Sequence, residues 1–129
     1  MKQIAANSGI AFVGSILTYL FGGWSQLLAL LFFIIIADYI TGLMASIIEG
    51  KGLSSAIGYK GLIKKFGIVL LVALGYQLDK NLGTDVIMAG TIYFFLANEL
   101  ISIVENYGRM GLPLPPQITN VIKVLRDKQ

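Results

Sequence analysis

The chain has 129 residues, of which 56% are hydrophobic and 13% charged, against about 25% charged in an ordinary soluble domain. A folded chain this small keeps a large share of its atoms at the surface, so its surface would be mostly apolar, which argues against a soluble globular enzyme and against a disordered acidic tail. Cysteine and histidine are both absent, which removes disulfide frameworks, zinc sites built on Cys or His, and His-dependent triads. No catalytic residue, metal or cofactor is expected. The net charge of +3 does not form an aromatic-studded basic face, so no nucleic acid partner is expected either. The basic residues sit instead at the ends of apolar runs, and lipid is the solvent that fits the composition.

Four apolar runs follow one another. The first, about 4–21, carries no charge and ends at Gly22-Gly23-Trp24-Ser25-Gln26, where a tryptophan suits the membrane–water boundary. Lys2 before an apolar stretch also fits a secretory signal peptide, but the run is rich in glycine and serine rather than leucine. The second, 27–48, contains one charge, Asp38, and is long enough to span a bilayer core of about 20 residues. The third, 66–82, is the shortest in continuous apolar residues. It spans only by drawing on Leu82 and on the stems of Lys64 and Lys65; a tilted or partly inserted segment is the alternative. The fourth, 86–104, holds Asn98 and Glu99 well inside it. Gly108 to Gly111 breaks that helix, and Leu112-Pro113-Leu114-Pro115-Pro116 forms a stiff extended link. A short helix over about 117–127 then places Ile118, Val121, Ile122 and Leu125 on one stripe, to lie on the membrane surface or against a sister subunit. The expected fold is an all-α integral membrane domain covering 1–129: four transmembrane helices with a short C-terminal amphipathic helix.

Charge placement gives this fold a direction. With four spans, both termini and the segment Glu49–Lys65 share one side. That side carries Lys2, Lys51, Lys60, Lys64, Lys65, Arg109, Lys123, Arg126 and Lys128, nine of the 10 basic residues, and the other keeps Lys80. Basic loops favour the cytoplasm, so both termini are expected to be cytoplasmic, with Lys51, Lys60, Lys64 and Lys65 setting the topology.

Small residues recur at helix-contact spacing: Gly14, Thr18 and Gly22; Asp38, Gly42 and Ser46, flanked by Thr41, Ala45 and Glu49; Gly67 and Gly75 with Asp79. Such faces let helix backbones approach, within one subunit or between several. An acid in mid-span costs about 2.5–3.5 kcal/mol, and no Lys or Arg is expected at the depth of Asp38. The acid therefore needs a proton, water or a hydrogen-bonding helix. Asn98, Ser102 and Glu105 form a second polar stripe at i, i+4 and i+7. The two stripes suggest a transport pathway or a seam sheltered by oligomerisation, with structural hydrogen bonding as the plainer reading.

Asp38-Tyr39-Ile40-Thr41-Gly42 resembles the opening signature of the phage lysis and toxin-secretion holin family, the group that includes the holin of phage phi29 and the clostridial toxin-locus holins. Glu49-Gly50-Lys51 and Gly58-Tyr59-Lys60-Gly61, leading into Lys64-Lys65, resemble its basic loop. The stretch Asn98–Asn106 resembles its late motif, and Gly111–Pro115 with a charged tail its end. The resemblance runs from about residue 31 to 129. It implies a non-enzymatic homo-oligomer in the bacterial cytoplasmic membrane that permeabilises the membrane so that an endolysin, or a large toxin, can cross. Under it, Asp38, Thr41, Gly42, Ser46, Asn98, Glu99, Ser102 and Glu105 are expected to serve oligomerisation or a polar path, with Asp38 and the Asn98-Glu99 pair switching between sheltered and wet settings. A small four-span transporter or ion channel and an antiholin are the other readings; the first span lacks the acid that small multidrug transporters keep there.

Overall fold

A computed structural model describes residues 1–127. The parts assigned to Lys128 in the charge bias, and to the Leu125 and Arg126 side chains on the last helix, lie outside what is described. The architecture is helical: α1 (Lys2–Phe21), α2 (Gln26–Ile48), α3 (Ser55–Leu82), α4 (Ile87–Met110) and α5 (Pro116–Asp127), with no strand among the described residues. Gly22 ends α1 in the left-handed conformation, φ 76°, donating its N–H to Thr18 O, a conformation glycine adopts at little cost. Ser25 then caps α2, its Oγ accepting from Leu28 N at 3.1 Å. Pro116 opens α5, where a missing N–H costs nothing.

Among the described residues, α1, α2 and α4 are each long and apolar enough to cross a membrane. Helix α3 differs from expectation. It starts at Ser55 rather than near Phe66, so the segment expected to be a loop up to Lys65 is helical from Ser55 onward. Lysine is a good helix former, so Lys60, Lys64 and Lys65 lower the hydropathy of α3 without interrupting it. Tyr39 of α2 packs on the glycines in this first half. Its hydroxyl donates to Gly58 O at 3.4 Å, and its ring would lie 3.5 Å from a Cβ at Gly61. At 28 residues α3 is about 42 Å long, but its basic half keeps it out of the set apolar enough to cross.

Helix α4 is the hub. It packs against α2, α3 and α5, while α1 rests on α3. On α2 the buried residues Leu28, Leu31, Ile35, Asp38, Thr41 and Ala45 follow helical spacing along one face. The apolar part of that face meets Ile68 and Val72 of α3 and Ile92 and Leu96 of α4, closed by Phe21. Below it the face turns polar, and the functional site begins there. Helix α1 is the outlier, almost wholly uncovered, with Gly9 and Gly14 facing open space. Gly67 on α3 is likewise uncontacted. Of the glycines placed on contact faces by spacing, Gly75 and Gly42 meet another helix within the chain, and Gly22 meets Tyr76 at the end of α1.

The α3–α4 hairpin is fixed by two devices. A Cβ on Gly75 would lie 3.0 Å from Met88 Cα, so any side chain there would press on the α4 backbone and push it back by a few tenths of an ångström. Asp79 accepts hydrogen bonds from Thr84 Oγ1 at 2.5 Å, Ile87 N at 3.0 Å and Met88 N at 2.9 Å. Residue Val86, at the N-cap of α4, has no capping oxygen, and the Asp79 carboxylate supplies it from the preceding helix, at the positive end of the α4 dipole. In detergent unfolding measurements Gly75→Leu is expected to destabilise by about 1–3 kcal/mol through overpacking, and Asp79→Ala by about 0.5–2 kcal/mol through the lost cap. Gly67→Leu, on an open face, is expected to leave stability unchanged.

Candidate functional site: a charged ladder between α2, α3 and α4

The polar residues of α2 and α4 come together in mid-helix. Asp38 lies 12 residues after the start of α2 and Glu99 12 after the start of α4, so each is about 18 Å along its helix. Both are buried. Between them stands Lys65 of α3. Its Nζ donates to Asp38 Oδ2 and to Glu99 Oε2, forming ion pairs with both acids. This overturns the expectation that no basic group lies at the depth of Asp38. It also moves Lys65 from a topology-setting loop residue to the centre of the buried cluster. The cause is the early start of α3, which carries Lys65 into the bundle.

The network continues along the α2–α4 seam. Asn106 Nδ2 donates to Asp38 Oδ1 and O, both at 3.1 Å, and to Thr41 Oγ1 at 2.9 Å. Thr41 Oγ1 in turn donates within α2, toward Ala37 O at 2.8 Å. Arg109 Nη1 donates to Asn106 Oδ1 at 3.2 Å. Arg109 also reaches across to α2, donating through Nε and Nη2 to Glu49 Oε1 at 3.1 and 2.8 Å and through Nη2 to Ser46 Oγ at 3.3 Å. At this outer rung the guanidinium holds the Glu49 carboxyl below its ordinary value, mainly through the hydrogen bond. Ser102 sits beside the Asp38 carboxylate. Among the described residues every buried side-chain nitrogen and oxygen has a partner, which is what makes buried charge tolerable in a low dielectric.

Several singled-out residues thus share one site: Asp38, Thr41, Ser46, Glu99 and Ser102, with Gly42 facing the Asn106 amide, whose Nδ2 would lie 3.6 Å from a Cβ there. Asn98 and Glu105 do not line this seam. Asn98 is half-buried and Glu105 exposed, because the α4 face turned to α2 runs through Glu99 and Asn106, one residue round the helix from the expected stripe. Lys60 and Lys64 are exposed on α3, and Lys51 is exposed 3.7 Å from Glu49. Sequence reasoning gives Asn106 and Arg109 no role in the site and sets Glu49 only at the flank of a helix-contact face. The i, i+7 spacing of Glu99 and Asn106 was the available signal for the first, whereas Arg109 and Glu49 lie 60 residues apart and share no local pattern.

The chemistry of the cluster is electrostatic. Two carboxylates face one ammonium, so the cluster carries one excess negative charge or a single proton. Removing one member of a buried ion set leaves the others uncompensated, at about 3–5 kcal/mol. Lys65→Met is therefore expected to destabilise the folded chain strongly in detergent melts. The triple change Asp38→Leu, Lys65→Met, Glu99→Leu, which removes all the charges together, is expected to recover most of that loss. A triple variant as unstable as Lys65→Met would contradict this assignment.

Comparison with known proteins places the chain in a family. Residues 15–127 match the family described as the bacteriophage holin family. The chain is 44% identical to an uncharacterized protein of Listeria monocytogenes, over 98% of this chain and 90% of that one. It is 35% identical to a 14.9 kDa protein in the nagH 3′ region of Clostridium perfringens, over 94% and 92% of the two chains. A probable holin of Bacillus phage phi105 is 32% identical, over 84% of this chain and 80% of its own. No solved structure matches. The matching family is not a family of enzymes. A membrane-type helical chain with its match running through α2, α3, α4 and α5 belongs to the bacteriophage holin family.

Proposed function

We propose that the protein is a holin: it oligomerises in the bacterial cytoplasmic membrane and permeabilises it, so that an endolysin or a large secreted toxin crosses. In this reading all of α1 to α4 span the membrane. Helix α3 does so because Asp38 and Glu99 neutralise Lys65, which extends its effective apolar stretch toward its N-terminus. With Lys65 withdrawn, eight basic residues still mark the side of both termini against Lys80 on the other, and the positive side is cytoplasmic.

The observation that carries the reading is Lys65 held between Asp38 and Glu99 in the middle of apolar helices. Such a set is stable in lipid while the three helices stay together, since parted charges would face hydrocarbon. Parted charges facing water would be stable as well. The same residues therefore suit two settings: a closed chain sheltering the cluster, and an assembly in which α2, α3 and α4 turn it toward a wet lumen. In this switch Asp38 and Glu99 keep their place and Lys65 takes that of Asn98, with the exposed Arg109–Glu49 contact joining α2 to α4 at the basic end.

Inducible expression in bacteria with a co-expressed endolysin tests this directly. The intact chain is expected to cause an abrupt fall in turbidity that requires the endolysin, and Asp38→Asn with Glu99→Gln is expected to shift its onset. Growth that continues unchanged at full membrane expression would refute the proposal. Delayed lysis by an authentic holin in the same cells would mark an antiholin instead.

A further inference from the structure

Helix α5 is half-covered. Its apolar stripe comprises Ile118, Val121, Ile122 and Val124, with Lys123 opposite. Ile122 alone of these is buried, at 5% exposure, while Ile118, Val121 and Val124 are 46%, 58% and 53% exposed. On a helical projection Ile122 is at one edge of the stripe and Val124 at the other. One edge thus docks the helix on the bundle, in contact with α4, and the remainder of the apolar face is left open. Helix α4 ends at Met110, and only 111–115 separate it from α5, so α5 is held at the level where α4 leaves the apolar layer. The exposed side carries Lys123, and the sequence adds Arg126 and Lys128 against a single acid, Asp127.

We infer that α5 is an interfacial helix whose occupant is an anionic lipid surface: Ile118, Val121 and Val124 enter the headgroup–acyl boundary, while Lys123 stays on the aqueous side and is drawn to the anionic leaflet across the width of the helix. Apolar area and charge complementarity act together in such helices. Basic residues near an anionic leaflet are attracted within a Debye length of it. Ile122, fixed to the bundle, sets the rotation of the helix, so the stripe faces the bilayer. This rests on the reading of α4 as a membrane span that ends on the basic side.

The absence of native cysteine makes the test direct. Single cysteines at Ile118, Val121, Lys123 and Phe33 of the full chain are spin-labelled in vesicles of phosphatidylcholine with and without phosphatidylglycerol. Phe33, exposed on α2, reports whether the spans are in the bilayer. The inference requires Phe33 to be deep, Ile118 and Val121 to be shallow but lipid-accessible, and Lys123 to be aqueous. It also requires aqueous accessibility at Val121 to rise when phosphatidylglycerol is left out. Replacing Lys123 and Arg126 by Gln is expected to raise that accessibility by up to about 25-fold, about fivefold per charge. Aqueous labels at Ile118 and Val121 with Phe33 deep overturn this inference and leave the proposed function standing. An aqueous Phe33 overturns both. Shielding at Val121 that disappears when protein is diluted in excess lipid identifies a second copy as the occupant and also overturns it.

Discussion

Charge in hydrocarbon is the constraint on which this structure turns. Asp38 and Glu99 sit in the middle of helices that are otherwise apolar, and each alone would cost about 2.5–3.5 kcal/mol. Lys65 joins both, and Asn106, Thr41, Arg109, Ser46 and Glu49 satisfy the remaining hydrogen-bonding groups along the same seam. One consequence is architectural. Lys65 reaches the cluster only if α3 is helical through its basic half and packed on α4, which also carries α2. The cluster, rather than hydropathy, therefore settles where α3 lies. A second consequence is specificity. The charged rung pairs Lys65 with one position on each neighbouring helix, Asp38 and Glu99, and so marks a single register.

The two ends of the bundle are held differently. On the side of the α3–α4 turn, Gly75 and Asp79 bring α3 and α4 close through backbone contact and a borrowed cap. On the basic side, Arg109 and Glu49 join α2 to α4 at the surface, where screening by water and salt makes such a pair worth little. Between the firm end and the weak end lies the buried cluster. Separation of the helices from the basic side would break the exposed contacts first, then the ion set, and the Gly75–Asp79 end last.

Much of this was legible in the sequence, and what was hidden has physical reasons. Helices α2 and α4 announce themselves through long apolar runs with Asp38 and Glu99 inside. The face of α2 follows from the spacing of Leu31, Ile35, Asp38 and Thr41. The start of α3 at Ser55 is hidden because Lys60, Lys64 and Lys65 read as solvent-seeking in any local pattern. Whether a lysine is neutralised depends on residues 27 and 34 positions away, which no local pattern contains. The polar stripe on α4 was placed one residue off, since Asn98–Ser102–Glu105 and Glu99–Ser102–Asn106 have nearly the same periodicity. Only the partner helix chooses between them. Asp79 was recognised as sharing a face with Gly75, yet its work as a cap for the next helix needed the turn in three dimensions.

One lysine bridges two acids between the apolar helices, and everything else depends on it. Solid-state NMR of the chain in lipid bilayers, with 15N-labelled lysine and 13C-labelled Asp and Glu, measures it through dipolar recoupling between Lys65 Nζ and the carboxyl carbons. Coupling to both Asp38 Cγ and Glu99 Cδ, at nitrogen–carbon separations of about 3–4 Å as direct hydrogen-bonded pairs require, is the expected result. A Lys65 ammonium coupled to neither carboxyl and exchanging freely with water would contradict the account.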